Sequence, residues 1–319
     1  MYWYYKVFFA AIIALILYGI FSIAGLKFPK IFEDKPKPTA GEQVDNPDEG
    51  QPDSLNNSGT KKTPVNKNNS YKLSSSQNAV LMEAKQLYSK DQKLDEAYEK
   101  AEALLEKIPQ FSQGWYKVAD FINEVNTKLV FSSAPSSRKI NHEVKVGDSL
   151  SKIAKGNTTI TGLQIGNDIP LDSGVIHPGQ VLRYFSGDWS IDISKDNYTL
   201  ILYHKERFFK YYKVGIGKEN RTPEGQFKIY GKVTDPIWYK NGEKIEPGDS
   251  RNVLGSRWME LNRVENTQKV GKGYGIHGTT EPDSIGTPAS QGCIRMLNEQ
   301  IEELYDIIPD AKVIVTIRK

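Results

Sequence analysis

The apolar positions of this chain change rhythm several times along its length. Val7 to Leu26 forms a run of twenty residues without a charge, enough to cross about 30 Å of hydrocarbon at about 1.5 Å per residue. Tyr2, Trp3, Tyr4, Tyr5 and Lys6 precede it, and Lys27 and Lys30 follow. Aromatic anchors therefore sit at one boundary, while the flanking positive charge is nearly symmetric and orients the segment weakly. Residues 1–27 are predicted to be a membrane-spanning helix, or a cleaved export signal with Ser22-Ile23-Ala24 at its small-residue site. Both readings put the remainder outside the cytoplasm.

From 28 to 76 the pattern disappears into Pro, Asn, Ser, Asp and Lys, which cannot bury enough surface to offset the entropy of ordering. This stretch is expected to be a flexible linker of about 35–42 Å root-mean-square span. A helical period follows over 77–131: Val80, Leu81, Ala84, Leu87 and Tyr88, then Ala97, Ala101, Leu104, Leu105 and Ile108, with Pro109 as a break, then Trp115, Val118, Ala119, Ile122 and Val125. The order of helix, Asp91-Gln92-Lys93 turn and helix resembles a single tetratricopeptide-type hairpin, and stable arrays of that kind need about three units. A small α-helical spacer is the expectation, with a partner-binding groove for another protein as the alternative.

Over 142–184 the pattern alternates at Glu143-Val144-Lys145-Val146, turns at Gly147-Asp148, and offers Ser149 as a cap for a helix through Leu150, Ile153 and Ala154. A second short helix is expected between Thr158 and Asn167, and Pro178-Gly179 leads into a closing strand at Val181-Leu182-Arg183-Tyr184. The spacing V-x-x-GDSL-x-x-IA, a central Asn and I-x-PGQ-x-L resembles the LysM family. That resemblance implies an α+β module that binds N-acetylglucosamine-containing glycans such as peptidoglycan.

After Gly187 the chain reads as strands, at Trp189–Ile193, Thr199–Tyr203 and Phe208–Val214, rich in β-branched and aromatic residues. One later segment has a helical face, Asn298 to Ile308, with Ile301, Leu304, Tyr305 and Ile308 on one side and Glu299, Glu302 and Glu303 on the other. Val313–Ile317 is expected to close the domain as a strand. A mostly-β domain over 190–319 therefore completes a multidomain chain of 319 residues, 38% of them hydrophobic. Its 42 Lys and Arg against 39 Asp and Glu give a net charge of +3, too balanced to point to nucleic acid as a partner.

The chemistry concentrates in this last domain. The single cysteine, Cys293, lies sixteen positions after His277. A thiol becomes a strong nucleophile as the thiolate, and a histidine is a common base for it. Gly275 and Gly278 flank the strand that ends at His277, and Gly292 precedes Cys293, so two backbones can approach closely. The N–H groups of Gly292 and Cys293 are candidates for an oxyanion hole. The four histidines lack paired ligand spacing and Gly215-Ile216-Gly217 lacks the rest of a dinucleotide fingerprint. No metal and no cofactor are expected.

Tyr274-Gly-Ile-His-Gly-Thr279, Ile285-Gly286 and Ser290-x-Gly-Cys-Ile-Arg-Met296 together resemble the signature of the L,D-transpeptidase (YkuD-like) catalytic family. Thr222-Pro-Glu-Gly-Gln-Phe227 and Leu254-Gly-Ser-Arg-Trp-Met259 match its upstream words. The resemblance implies that Cys293 is the nucleophile attacking the bond between a diamino acid and D-Ala in a peptidoglycan tetrapeptide stem, through a thioester. It makes His277 the base and Gly278 the residue that orients it through a backbone carbonyl. Arg295 is expected to support the site or meet an anionic group of the stem, and Ser290, Trp258 and Tyr274 are expected to line the substrate cleft, with packing in the core of the β domain as the alternative for the two aromatics. Gln291 departs from the family, which commonly has His there. The expected activity is transfer to an acceptor amine in the bacterial cell envelope; the alternatives are an L,D-carboxypeptidase using water and a non-catalytic peptidoglycan-binding scaffold.

Overall fold

The computed structural model describes residues 70–90, 93–264, 273–309 and 313–319. The expected membrane segment and most of the expected linker lie outside the described residues, as do Asp91 and Gln92 of the expected turn. No helix among the described residues is long and apolar enough to cross a membrane.

Three helices open the described chain: α1 (Ser75–Ser89), α2 (Leu94–Leu105) and α3 (Gln113–Val130). The Ser74 hydroxyl accepts from the Gln77 amide and the Gln77 side chain returns the bond to the Ser74 amide. This reciprocal cap starts α1 two residues before the expected boundary. Ser112 caps α3 by accepting from Trp115 N–H at 3.1 Å. The periodic residues Leu81, Ala84, Ala97, Ala101, Val118, Ala119, Ile122 and Val125 are buried as the spacing requires.

The next segment pairs β1 (Ile140–Glu143) with β2 (Val181–Tyr184) in antiparallel register and places α4 (Leu150–Ala154) and α5 (Ile160–Gly166) between them. Its own small core consists of Val144, Leu150, Ile153, Ala154, Leu163, Ile169 and Leu182. The first strand lies three residues earlier than the alternation suggested. Val146, 91% exposed, is at the tip of a turn closed by Asp148 N–H to Lys145 O and by Lys145 N–H to the Asp148 carboxylate, with Gly147 at φ +87°. Its apolar side chain therefore carried no information about a buried face.

The large sheet contains β3 (Trp189–Ser194), β4 (Thr199–His204) and β5 (Arg207–Lys213). A short β6 (Ile216–Gly217) follows, then β7 (Gly225–Thr234), the hairpin β8 (Trp238–Lys240) and β9 (Glu243–Ile245), and β10 (Arg257–Arg263). The chain ends with β11 (Gly275–His277), β12 (Pro288–Ser290), β13 (Ile294–Arg295), α6 (Asn298–Ile307) and β14 (Ile314–Arg318). Eight of these strands form one sheet in the order β13-β11-β10-β7-β14-β3-β4-β5. Helix α6 buries Ile301, Leu304 and Ile307. Glu303, expected to face solvent, instead receives hydrogen bonds from Lys210 and Thr127, because the buried Lys210 ammonium needs a partner there.

Helix α3 covers β5, the edge of that sheet. Asn123 donates to Tyr211 O at 2.9 Å and accepts from Tyr211 N–H at 3.0 Å, so its amide imitates a neighbouring strand. Asn126 donates to Phe209 O at 2.6 Å and Tyr98 to Phe208 O at 2.9 Å. The helices thereby occupy polar edge groups that would otherwise invite another chain. Helix α5 joins from the other side. Its Gly162 sits where an added Cβ would lie 2.8 Å from Asp306 O on α6, and its Gly166 where one would lie 2.7 Å from Val130 O on α3. Thr159 donates to the same Asp306 carbonyl. The three segments are thus packed backbone to backbone.

Candidate active site

Strands β11 and β13 run parallel, with Ile276 opposite Ile294 and His277 opposite Arg295. Cys293 immediately precedes β13, so extending the register puts it level with Gly275 and on the same face as His277. An offset of two residues along parallel neighbours separates the two Cα atoms by about 8 Å, a gap that a thiol and an imidazole can close by leaning together. The sixteen-residue separation in sequence becomes an offset of two residues on adjacent strands through this pairing.

Both groups are buried, Cys293 at 7% exposure and His277 at 3%. The thiol points toward Gly273 O at 3.6 Å and belongs to an apolar cluster with Trp238, Ile245, Leu254 and Trp258. His277 Nδ1 lies 2.6 Å from Gly278 O. A carbonyl only accepts, so this contact assigns the proton to Nδ1 in the neutral ring and leaves Nε2 as the basic nitrogen. The Trp258 indole stacks on the imidazole at 5.8 Å between centroids and 22° between planes. Gly275 has no side chain because that indole fills the space: an added Cβ would meet it at 2.6 Å.

Burial is the main influence on His277, and the Arg295 charge adds to it; together they push the imidazole down to about 4, against backbone hydrogen bonds with Gly278 and Leu254 that favour the protonated ring. The ring is therefore neutral at physiological pH and can accept a proton.

Several expected site residues serve the architecture of the nucleophile turn. Gly292 N–H was expected to face an oxyanion, but it donates to Ser290 Oγ at 3.1 Å, and Ser290 Oγ donates onward to Cys293 O at 2.6 Å. Ser290 is 4% exposed, so it braces the turn instead of lining a cleft. Trp258 is buried at 2% against His277 and does not line the cleft either. Tyr274 is half-buried with its ring against Gly292, where an added Cβ would lie 2.7 Å from Cε1. Arg295 is buried and paired with Glu281 at 2.7 Å, while its Nε atom has no partner. That ion pair holds its guanidinium on the strand neighbouring His277.

Residues outside the expected set complete the support. Asn298 Oδ1 accepts from Ser256 N–H at 3.2 Å and Thr279 N–H at 3.1 Å, clamping the loop before β10 to the end of β11. Its position at the start of an amphipathic helix marked it only as a terminus residue. Thr222 Oγ1 donates to Gly292 O at 2.9 Å and accepts from Gly217 N–H at 2.7 Å; it lies in a recognised word, but nothing in the sequence set it apart there. Glu281 and Arg221 carry no sequence signal at all. A cleft of about 720 Å³ opens beside Glu281, between the β8–β9 hairpin and Arg251.

Residues 188–316 match the family model of the L,D-transpeptidase catalytic domain, YkuD. The putative L,D-transpeptidase YkuD of Bacillus licheniformis is 30% identical over 176 residues, which are 53% of this chain and 93% of that protein. The putative L,D-transpeptidase YqjB of Bacillus subtilis is 35% identical over 132 residues, 41% of this chain and 72% of that one. Among solved structures, the catalytic domain of an Enterococcus faecium L,D-transpeptidase matches at 20% identity and a TM-score of 0.32, covering 41% of this chain and 97% of that one. An L,D-transpeptidase from Mycobacterium smegmatis matches at 15% identity and a TM-score of 0.32 over 44% of this chain and 64% of that one. On the strength of the Bacillus relatives and the family match, this chain belongs to the YkuD family of L,D-transpeptidases.

Proposed function

We propose that the chain is a peptidoglycan L,D-transpeptidase of the bacterial envelope whose nucleophile is Cys293. The Cys293 thiol attacks the carbonyl between the diamino acid and D-Ala of a tetrapeptide stem while His277 Nε2 takes the thiol proton. Collapse of the tetrahedral intermediate breaks the C–N bond, and the proton on His277 passes to the departing amine, so D-Ala leaves and a thioester remains. An acceptor amine then attacks, gives its proton to His277, and releases Cys293 as thiolate, which recovers that proton. Burial, with the Arg295 charge adding to it, keeps the base neutral between turnovers.

The observation that supports this reading is the parallel β11–β13 register, which, extended by one residue, puts Cys293 on the face of His277. The test is incubation of the full-length chain with purified disaccharide-tetrapeptide, followed by mass spectrometry. Cross-linked dimer with free D-Ala is the expected product; tripeptide alone would make water the acceptor, and sacculus binding without product would make the chain a scaffold.

Around this activity we assign 142–184 as a LysM-type glycan-binding module, 77–131 as a helical spacer, 28–76 as a linker and 1–27 as the membrane anchor or export segment. Support for the module comes from its strand-helix-helix-strand order with a separate core. The close packing of Gly162 and Gly166 would present bound glycan to the catalytic domain at a fixed orientation, a tighter arrangement than a flexible tether. Binding of the full-length chain to sacculi, lost when Val146 and Leu171 on exposed loops of the module are replaced by Asp, is the expected result.

A further inference from the structure

The turn that carries Cys293 is held from one side by the loop that follows β6. In that loop Glu219 (φ +51°) and Asn220 (φ +60°) occupy the left-handed region in succession, and neither is glycine. Such conformations persist only where the surroundings over-determine them, and they cluster at functional sites. Here the surroundings are specific. Lys195, 3% exposed, donates its ammonium to Asn220 Oδ1, to Thr222 O at 3.2 Å and to the Glu224 carboxylate at 2.7 Å.

This anchoring delivers two consecutive residues to the nucleophile turn. Thr222 holds Gly292 O. Arg221 donates one guanidinium nitrogen to Gln291 Oε1 and another to Glu219 at 2.7 Å. Gln291 and Gly292 are the two residues before Cys293, and Gly292 has φ +149°, so both contacts fall on the residues that lead into the thiol. Gln291 supplies a neutral acceptor whose state does not change with pH, and Arg221 supplies a permanent cation.

We infer that Arg221 is a positioning residue for the reaction: through Gln291 it fixes the turn that aims the Cys293 thiol. The inference rests on Cys293 being the nucleophile proposed above. Arg221→Ala and Gln291→Ala should each lower kcat on disaccharide-tetrapeptide by about tenfold, with KM within about twofold, because only the transition-state geometry is lost. The double variant should fall no further than either single one. Gln291→Glu, which keeps an acceptor before the guanidinium, should retain most of the activity. The same single variants should slow alkylation of Cys293 by iodoacetamide, a readout independent of peptidoglycan chemistry, with thermal unfolding confirming that each variant is folded.

Losses that multiply in the double variant, a change confined to KM, or kcat and alkylation unchanged in folded Arg221→Ala would each overturn the inference. An inactive wild type would instead overturn the transpeptidase reading. Alkylation would still decide the coupling between Arg221 and Gln291.

Discussion

His277 Nδ1 and the carbonyl oxygen of Gly278 lie 2.6 Å apart, and that contact assigns the proton of the neutral imidazole to Nδ1. The adjacent residue has to be glycine for a separate reason. A Cβ on Gly278 would stand 2.1 Å from Asn298 Oδ1 and 3.0 Å from Ser256 N. Gly278→Ala retains the carbonyl yet should displace the Asn298 clamp and reduce kcat by about tenfold or more. Asn298→Ala removes the nearest obstacle as well as the clamp and leaves the tight backbone contact with Ser256 N, so adding Gly278→Ala to it should cost less than it does in the parent chain. A steady-state kinetic cycle over the four proteins measures this; fully additive losses would show that Asn298 and Gly278 do not share one structural element.

The Arg295 charge is one cause of the low His277 value. Replacing Arg295 by Met should raise that value from about 4 toward the ordinary 6.5. Imidazole NMR is a practical readout, since the chain has 4 histidines. Absence of any upward movement would remove Arg295 from the electrostatics of the base.

Acid stability follows from two buried rings. Burial pushes both His277 and His204 down to about 4. Unfolded, each titrates near 6.5, so between those values the unfolded chain binds more protons than the folded one. Their contribution is complete above about pH 6.5, declines as the pH falls toward 4, and is worth on the order of 3 kcal/mol per ring. Urea unfolding at pH 7 and pH 4.5 should show this loss, and a His204→Gln variant that folds should show a smaller one.

The glycines of α5 give a test of module packing. In an exposed helix, Gly→Ala gains about 1 kcal/mol from propensity. At Gly166 the new methyl would face Val130 O at 2.7 Å, a backbone atom that cannot swing aside. Overpacking should win, with a net loss of about 1–3 kcal/mol. Gly231→Ala, whose nearest neighbour would be a flexible Glu260 oxygen at 3.6 Å, is the control and should be close to neutral. Denaturant unfolding of the two variants distinguishes them.

Much of the architecture was legible because it follows from local pattern. The buried stripe of α3, the capped helix after Ser149 and the strands from Trp189 onward are set by periodicity and turn chemistry. Cys293, His277 and Gly278 were singled out by the words around them. What sequence could not reveal depends on contacts between distant segments. Asn298 works by meeting Ser256 and Thr279, and Arg221 by meeting Gln291, seventy positions away. Ser290 was expected in the cleft, but it is buried and braces the turn, while the burial of Trp258 matches its core alternative. The Val146 alternation failed because a turn tip carries no core-facing side.

The central claim is that Cys293 carries the acyl group of the stem peptide. Intact-protein mass spectrometry of the full-length chain, quenched with acid shortly after mixing with disaccharide-tetrapeptide, tests it directly. The predicted result is an adduct equal to the tetrapeptide donor less D-Ala, mapped to Cys293, labile to hydroxylamine and absent from Cys293→Ala. Product formation by Cys293→Ala, or an adduct mapped to another residue, would contradict it.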